Sequence, residues 1–245
     1  MSRILPTLLV GLLATAAASN AHAQAAAAQP AASDAKPSMD IYGLAMLDMG
    51  YQAEQNDPNW FDVLRPTKLP SFAHEFGADG RNFSGVRQSR LGVKTTTPTT
   101  LGELKTTFEF ELFGVGAEAG QTTFRLREAY GELGHFGAGQ ADTPFMDGSV
   151  FPNSLEFWGP NGMVFFKNVQ FRWTPLKGAR EVMFAIERPG ASGDAGVLAS
   201  RIELQNIVGR FPAPDVSGHV RFSGAGSHIQ VGGILREIRW DDTLD

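Results

Sequence analysis

No cysteine occurs among these 245 residues, which removes disulfide frameworks, cysteine zinc sites and thiol nucleophiles together. Positive charge is scarce as well. Lys and Arg number 21 against 26 Asp and Glu, for a net charge of −5, whereas a nucleic-acid-binding domain is normally basic. Beyond the N-terminus no apolar run approaches the roughly 18 residues that a membrane-crossing helix needs. The five histidines (22, 74, 135, 219 and 228) show no H-E-x-x-H or other metal spacing. No G-x-S-x-G elbow, P-loop or dinucleotide fingerprint is present, and 190–196 (GASGDAG) reads as a flexible loop. Asp241 with Asp242 reads as a solvated acidic pair rather than a calcium site. No cofactor and no catalytic residue is therefore expected. Disorder is excluded too, because Phe, Ile, Val and Leu are spread along the whole chain. A β-rich protein remains, either a soluble domain or a transmembrane barrel.

Residues 1–23 read as a secretory signal peptide. Arg3 supplies the positive end, residues 4–18 a short apolar core, and Ala21-His22-Ala23 a small-residue cleavage site before Gln24. Residues 24–38 (QAAAAQPAASDAKPS) are rich in Ala, Pro and Ser without periodicity and read as a linker. From Met39 onward the dominant period is two. In residues 104–112, Leu104, Thr106, Phe108, Phe110 and Leu112 alternate with Lys105, Thr107, Glu109 and Glu111. Strand side chains alternate between faces, so this segment has one largely apolar and one charged wall.

Nine strands are predicted, near 39–53, 84–96, 101–113, 122–133, 135–141, 163–174, 181–188, 215–223 and 227–240. Short connections (97–100, Gly134, 175–180, 224–226) alternate with longer ones (53–83, 114–121, 141–162, 189–215). Short turns on one edge and long loops on the other are the pattern of an outer-membrane barrel. A secreted soluble sandwich or barrel also predicts alternating strands and Gly/Pro turns, and a non-conducting surface barrel or adhesin is a further reading. The membrane barrel is preferred because the polar faces are charged along their length and aromatics (Tyr51, Phe113, Trp173, Trp240) stand near strand ends. A barrel phospholipase would need a Ser/His pair on one strand face, but Ser227 and His228 are adjacent and point apart.

Residues 89–94 (SRLGVK), 101–112 (LGELKTTFEFEL), 124–133 (FRLREAYGEL), 136–140 (FGAGQ) and 143–145 (TPF) resemble the early strands and third loop of Gram-negative trimeric porins. The segments 41–51 (IYGLAMLDMGY), 56–60 (NDPNW), 64–68 (LRPTK), 151–155 (FPNSL), 158–164 (WGPNGMV), 187–191 (ERPGA), 201–206 (RIELQN) and 240–245 (WDDTLD) narrow the resemblance to the DcaP-like outer-membrane porins. It covers about 39–245. The resemblance implies an all-β antiparallel transmembrane barrel of sixteen strands, assembled as a homotrimer in the Gram-negative outer membrane. Its partners would be the lipid bilayer, lipopolysaccharide and small anionic solutes such as dicarboxylates, with no nucleic acid. Two departures are expected. Residues 24–38 are too short and proline-interrupted for a periplasmic helical segment, and the chain stops in what reads as an external loop. It is therefore read as the N-terminal portion of a barrel, unable to form a pore alone, since open edges in hydrocarbon leave backbone groups unsatisfied.

If apolar residues face outward, the pore-lining set is Arg90, Lys94, Lys105, Glu109, Glu111, Arg125, Arg127 and Arg172. Charge at the narrowest point biases which ions enter, and the guanidinium fork suits carboxylates. Pairing the third and fourth strands with Leu112 opposite Thr122 sets Glu109 against Arg125 and Thr107 against Arg127, a register that a one-residue slip would change. Such pairs read equally as wall braces, whereas Arg90, Arg127 and Arg172 have no sequence-visible partner and read as solute contacts. The loop 142–162 resembles the porin loop that narrows the lumen, with Asp147, Phe151, Glu156 and Trp158 as its constriction residues. Glu128 shares parity with Phe124 and Leu126, which would aim it at lipid. A bulge or a subunit contact would relieve this, and the subunit contact is the expectation, because the first strands of trimeric porins lie there.

Overall fold

The computed structural model describes residues 36–154, 164, 166–190 and 206–243. The signal-peptide reading, most of the linker, and the constriction candidates Glu156 and Trp158 lie outside the described residues. Period-two sequence folds as strands, thirteen of them among the described residues: β1 (Ser38–Leu44), β2 (Asp48–Gln52), β3 (Arg81–Gly85), β4 (Arg90–Thr99), β5 (Gly102–Phe113), β6 (Thr122–Leu133), β7 (Phe136–Asp142), β8 (Lys167–Leu176), β9 (Arg180–Glu187), β10 (Ile207–Arg210), β11 (Asp215–Gly224), β12 (Ser227–Leu235) and β13 (Arg239–Asp242). No described helix is long and apolar enough to cross a membrane.

Nine strands form one antiparallel sheet in the order β1-β4-β5-β6-β7-β8-β9-β11-β12. Each pairs with the next in sequence once β2, β3 and β10 are set aside, so the sheet is a meander of hairpins. β1 and β12 are its outermost strands and the sheet is open. Tight connections join β4 to β5, β6 to β7, β8 to β9 and β11 to β12, all at one end. Gly134, Gly178 and Gly226 within these connections, and Gly102 at the start of β5, have positive φ, the conformation that glycine adopts at no steric cost. The longer connections are all at the other end. In an outer-membrane barrel the short turns face the periplasm and the long loops face outside.

The nine strands of the sheet correspond to the nine expected, but three expected strands are shorter than the periodicity suggested. Residues 39–53 break at 45–47, where Ser89 takes over the ladder: its Oγ accepts from the Met46 amide at 2.9 Å and donates to the Met46 carbonyl at 3.3 Å. β2 then leaves the sheet to pair with β3, inside the first long connection. The expected strand 84–96 is likewise divided between β3 and β4. The expected 227–240 divides into β12 and β13, and β13 pairs with β10, a short strand that the sequence reading missed.

The distribution of side chains is inverted relative to a water-soluble fold. Leu91, Phe108, Phe110, Phe124, Phe171, Trp173, Phe184, Ile186, Val216 and Val231 are exposed, while Glu109, Glu111, Arg127, Asn168, Gln170, Glu187, Asp215 and His219 are buried. Soluble proteins bury charges only rarely. A wall whose apolar face is bare and whose charged face is covered belongs in lipid with an aqueous interior. Phe113 departs from the expected outward aromatics. It lies almost fully buried on the polar face, under Trp60 (ring centroids 5.3 Å) and the Arg87 guanidinium (4.1 Å).

Candidate functional site

The register places all eight expected lumen residues on the polar face, opposite the exposed apolar residues of the same strands. Arg90 of β4 is level with Glu111 of β5, which is level with Arg125 of β6. Three arginines and two glutamates then interlock. Arg127 Nε donates to Glu109 Oε1 and its Nη1 to Glu111 Oε2, both at 2.6 Å. Arg125 Nη1 reaches Glu111 Oε1 at 3.0 Å, and Arg90 Nε lies 3.8 Å from Glu111 Oε2. The Tyr42 hydroxyl donates to Glu109 Oε2 at 3.0 Å, its ring lying over Gly92, where a Cβ would occupy the same space. Lys94 Nζ lies over the Tyr42 ring, 4.8 Å from its centroid, and Lys105 stands exposed near the short turns, 3.9 Å from Glu103.

This geometry corrects three sequence readings. The β5–β6 register sets Phe113 against Thr122, Glu111 against Arg125 and Thr107 against Tyr130, instead of Leu112 against Thr122. The expected Glu109–Arg125 and Thr107–Arg127 pairs do not form. Arg127 and Arg172 have partners, too. Arg127 is the most enclosed arginine of the network, with a side chain 6% exposed. Arg172 donates to the Asp142 carbonyl at 2.5 Å and to Gln170 Oε1 at 2.9 Å, with Tyr130 beneath its guanidinium at 5.1 Å. Arg125, read equally as a pore-lining residue and as a wall brace, is the more open one at 37%. Glu128 completes the corrections. Between Glu109/Phe110 on β5 and Glu128/Leu126 on β6 the register shifts, leaving Arg127 as an extra residue. A bulge of this kind points two successive residues to one face. Glu128 is thereby turned away from lipid, and Lys167 Nζ meets it at 2.5 Å while also contacting Asp142 at 2.6 Å. The lipid-facing charge that suggested a subunit contact does not exist.

The connection after β7 folds back onto the same polar face. Thr143 Oγ1 donates to Glu187 Oε1 at 2.6 Å, the Pro144 carbonyl meets His219 Nδ1 at 2.7 Å, and Gln230 Nε2 donates to the Met146 carbonyl at 3.2 Å. Asp147 Oδ2 meets His228 Nε2 at 2.6 Å, and Asp147 Oδ1 accepts from the Ser149 amide at 3.0 Å. Burial works to raise the Asp147 carboxyl, but the hydrogen bonds from Ser149 and His228 outweigh it and hold the group below the usual carboxylate range. Residues 143–149 thus lie across the inward faces of β9, β11 and β12. Phe151, half-buried, follows the short 3-10 turn Gly148–Val150 that Asp147 caps. No sequence pattern announced the anchors His219 and His228, because they lie far along the chain from the loop they hold.

A cleft of about 530 Å³ is bordered by Trp60, Arg65, Arg125, Arg127, Lys167 and Arg188. Among the described residues, no carboxylate belongs to its lining. It lies where β6 runs beyond β7: their pairing ends at Ala129 with Gln140, and the Gln140 amide covers the next carbonyls, of Leu126 and Arg127, at 3.1 Å.

Comparison with known proteins gives three findings. The family model of the DcaP outer membrane protein matches residues 16–242. The crystal structure of the outer membrane channel DcaP of Acinetobacter baumannii superposes with a TM-score of 0.68 at 16% identity, over 85% of this chain and 56% of that one. No curated protein matches this chain.

Proposed function

Since the chain belongs to the DcaP outer membrane protein family, we propose that it is a passive diffusion channel for small anionic solutes, dicarboxylates among them. The observation that carries the anion preference is the cleft whose described lining holds five cations and no carboxylate. Carboxylates are held best by forked or multiple cationic donors in partly dehydrated surroundings. Arg125, Arg90 and Lys94 keep part of their surface open on the same face, while Arg127, Glu109 and Glu111 brace the wall beneath them. The folded-back segment 143–149 supports a constriction beside β9, β11 and β12, with Asp147 at its edge and Phe151 beyond it.

The working form in this proposal is a homotrimer of sixteen-stranded barrels, exported with cleavage after Ala23 and embedded among lipid and lipopolysaccharide. The chain covers 56% of the length of the solved DcaP channel, so pore, trimer and solute all belong to the proposal. The test is a planar-bilayer measurement of reversal potential in a salt gradient on the native channel and on Arg125→Ser. The native channel is expected to favour chloride over potassium, and Arg125→Ser to move the reversal potential toward zero. An unchanged value removes Arg125 from selectivity. Absence of any conductance replaces the channel with a non-conducting surface barrel.

A further inference from the structure

His219 holds two contacts that a neutral ring cannot hold together. Its Nδ1 lies 2.7 Å from the Pro144 carbonyl and its Nε2 lies 2.8 Å from Glu181 Oε1. A carbonyl oxygen and an ionised carboxylate only accept, and neutral imidazole carries a single N–H. Both contacts are made when both ring nitrogens donate, that is, by the imidazolium. Loss of either proton turns a lone pair toward an oxygen and converts attraction into repulsion. His219 is also well placed to matter. It is buried on the inward face of β11, between β9, which supplies Glu181, and the segment 143–149.

The other anchors of this segment make no such demand. His228 Nε2 to Asp147 is satisfied by one tautomer, and the Thr143–Glu187 and Gln230–Met146 contacts do not involve a titrating donor. Among the described residues, the charged groups facing His219 are Glu181 of β9, Arg221 of its own strand and Asp147 of the segment, with Glu128, Asp142 and Arg172 across a cavity that His219 and Tyr130 also line. Around His228 stand Asp147 and Arg221, the latter 3.9 Å from Asp147.

We propose that His219 is a positioning residue that clamps segment 143–149 to the wall as a doubly protonated ring, so that the channel is held open at mildly acid pH and closes intermittently as the ring loses a proton. This rests on reading the chain as a channel narrowed by that segment. Histidine is the side chain that ordinarily changes charge between about pH 5 and 8. A charge-assisted hydrogen bond at this site corresponds to roughly a tenfold change in the population of the clamped form.

Two measurements on the full channel purified from outer membranes decide it. Single-channel recording should show the open probability of the native protein falling roughly tenfold from about pH 6 to about pH 8.5. His219→Lys, whose ammonium offers three donors and stays charged over this range, should remain open throughout. His219→Gln should close frequently at every pH. A purely structural histidine would leave the two variants equally impaired, which overturns the proposal, as does a native channel whose openings ignore pH. Nitrogen-15 NMR of labelled histidine in micelles at about pH 6, assigned by the signal lost in His219→Gln, should show both ring nitrogens protonated. A singly protonated His219 ring overturns the clamp whether or not the protein conducts. Absence of current at all pH values, with a doubly protonated ring, overturns the channel reading and leaves the charge of His219 established.

Discussion

At Arg87 a guanidinium with no exposed surface sits between two aromatic rings, Phe61 at 4.8 Å and Phe113 at 4.1 Å. Its Nε donates to Asp62 Oδ2 at 2.8 Å, its Nη2 contacts Asp62 Oδ1, and Nη2 also donates to the Asn59 carbonyl at 3.2 Å. Arg87 joins the rim of the sheet to the first long connection, which carries Asp62. Removing one partner of a buried ion pair strands the other, at a cost of about 3–5 kcal/mol. Arg87→Met is therefore expected to lower the thermal unfolding midpoint clearly, and the double change Arg87→Met with Asp62→Leu to recover much of the loss. Calorimetry on the micellar protein checks both. Asp147 yields a prediction with a sign. Its carboxyl titrates lower in the folded protein than the ordinary value of 3.8, so its contribution is fully present above that value. It disappears as pH falls further, through the folded value. Acid titration of channel noise should show the segment 143–149 loosening only below the usual carboxylate range, and Asp147→Asn should remove that step.

Among elements, β6 shows how much depends on one extra residue. Its first part sends Phe124 and Leu126 outward, and Arg125 and Arg127 inward. After the bulge the parity changes, so that Glu128 and Tyr130 also point inward. Period-two reading carried one parity through the whole strand and so aimed Glu128 at lipid. Alternation contains no mark of where a bulge falls, because either face of Arg127 and Glu128 is polar. Deleting Arg127 should leave a straight ladder on which Leu126 and Glu128, now neighbours, keep their outward and inward faces. The folded, heat-modifiable band on gels is expected to survive that deletion, whereas one alanine inserted between Glu128 and Ala129, which reverses the parity of the strand beyond it, should abolish the band. Residues 53–83 were legible only as a loop, and β2 only as the end of the strand expected over 39–53. That β2 leaves the sheet for β3, and that the connection seals Phe113 beneath Trp60, depends on contacts between residues far apart in sequence.

For the molecule as a whole, the bare apolar face of the sheet has to be covered by lipid or by another subunit. A cation placed at mid-membrane on the lipid face of a barrel costs about 2–4 kcal/mol. Phe171→Arg, at the centre of the outward row of β8 with Val169 and Trp173, is expected to reduce folding into liposomes by that amount. Gln170→Arg, one residue away on the inward face, should cost far less, and urea titration in vesicles compares them. The native product extracted from membranes should run unboiled as an oligomer-sized band and boiled as a monomer. A soluble species that never enters the membrane fraction would contradict the exposed face itself.

The strand count of the main sheet, the alternation of short and long connections, and the face on which each of the eight charged residues stands were all set by local sequence. Strand geometry makes facing a matter of parity, and parity is local. The DcaP resemblance was legible for a related reason, since its motifs are contiguous runs. Which charge meets which was decided only in three dimensions. Register depends on bulges and on turns: two shifts between β5 and β6 set the partners of Arg125 and Arg127, and the one at Arg127 turned Glu128 from lipid to Lys167. The hold of His219 and His228 on the segment 143–149 was likewise invisible in one dimension. The histidines lie more than seventy positions along the chain from the residues they hold, and only the folding back of that segment onto β11 and β12 brings them together.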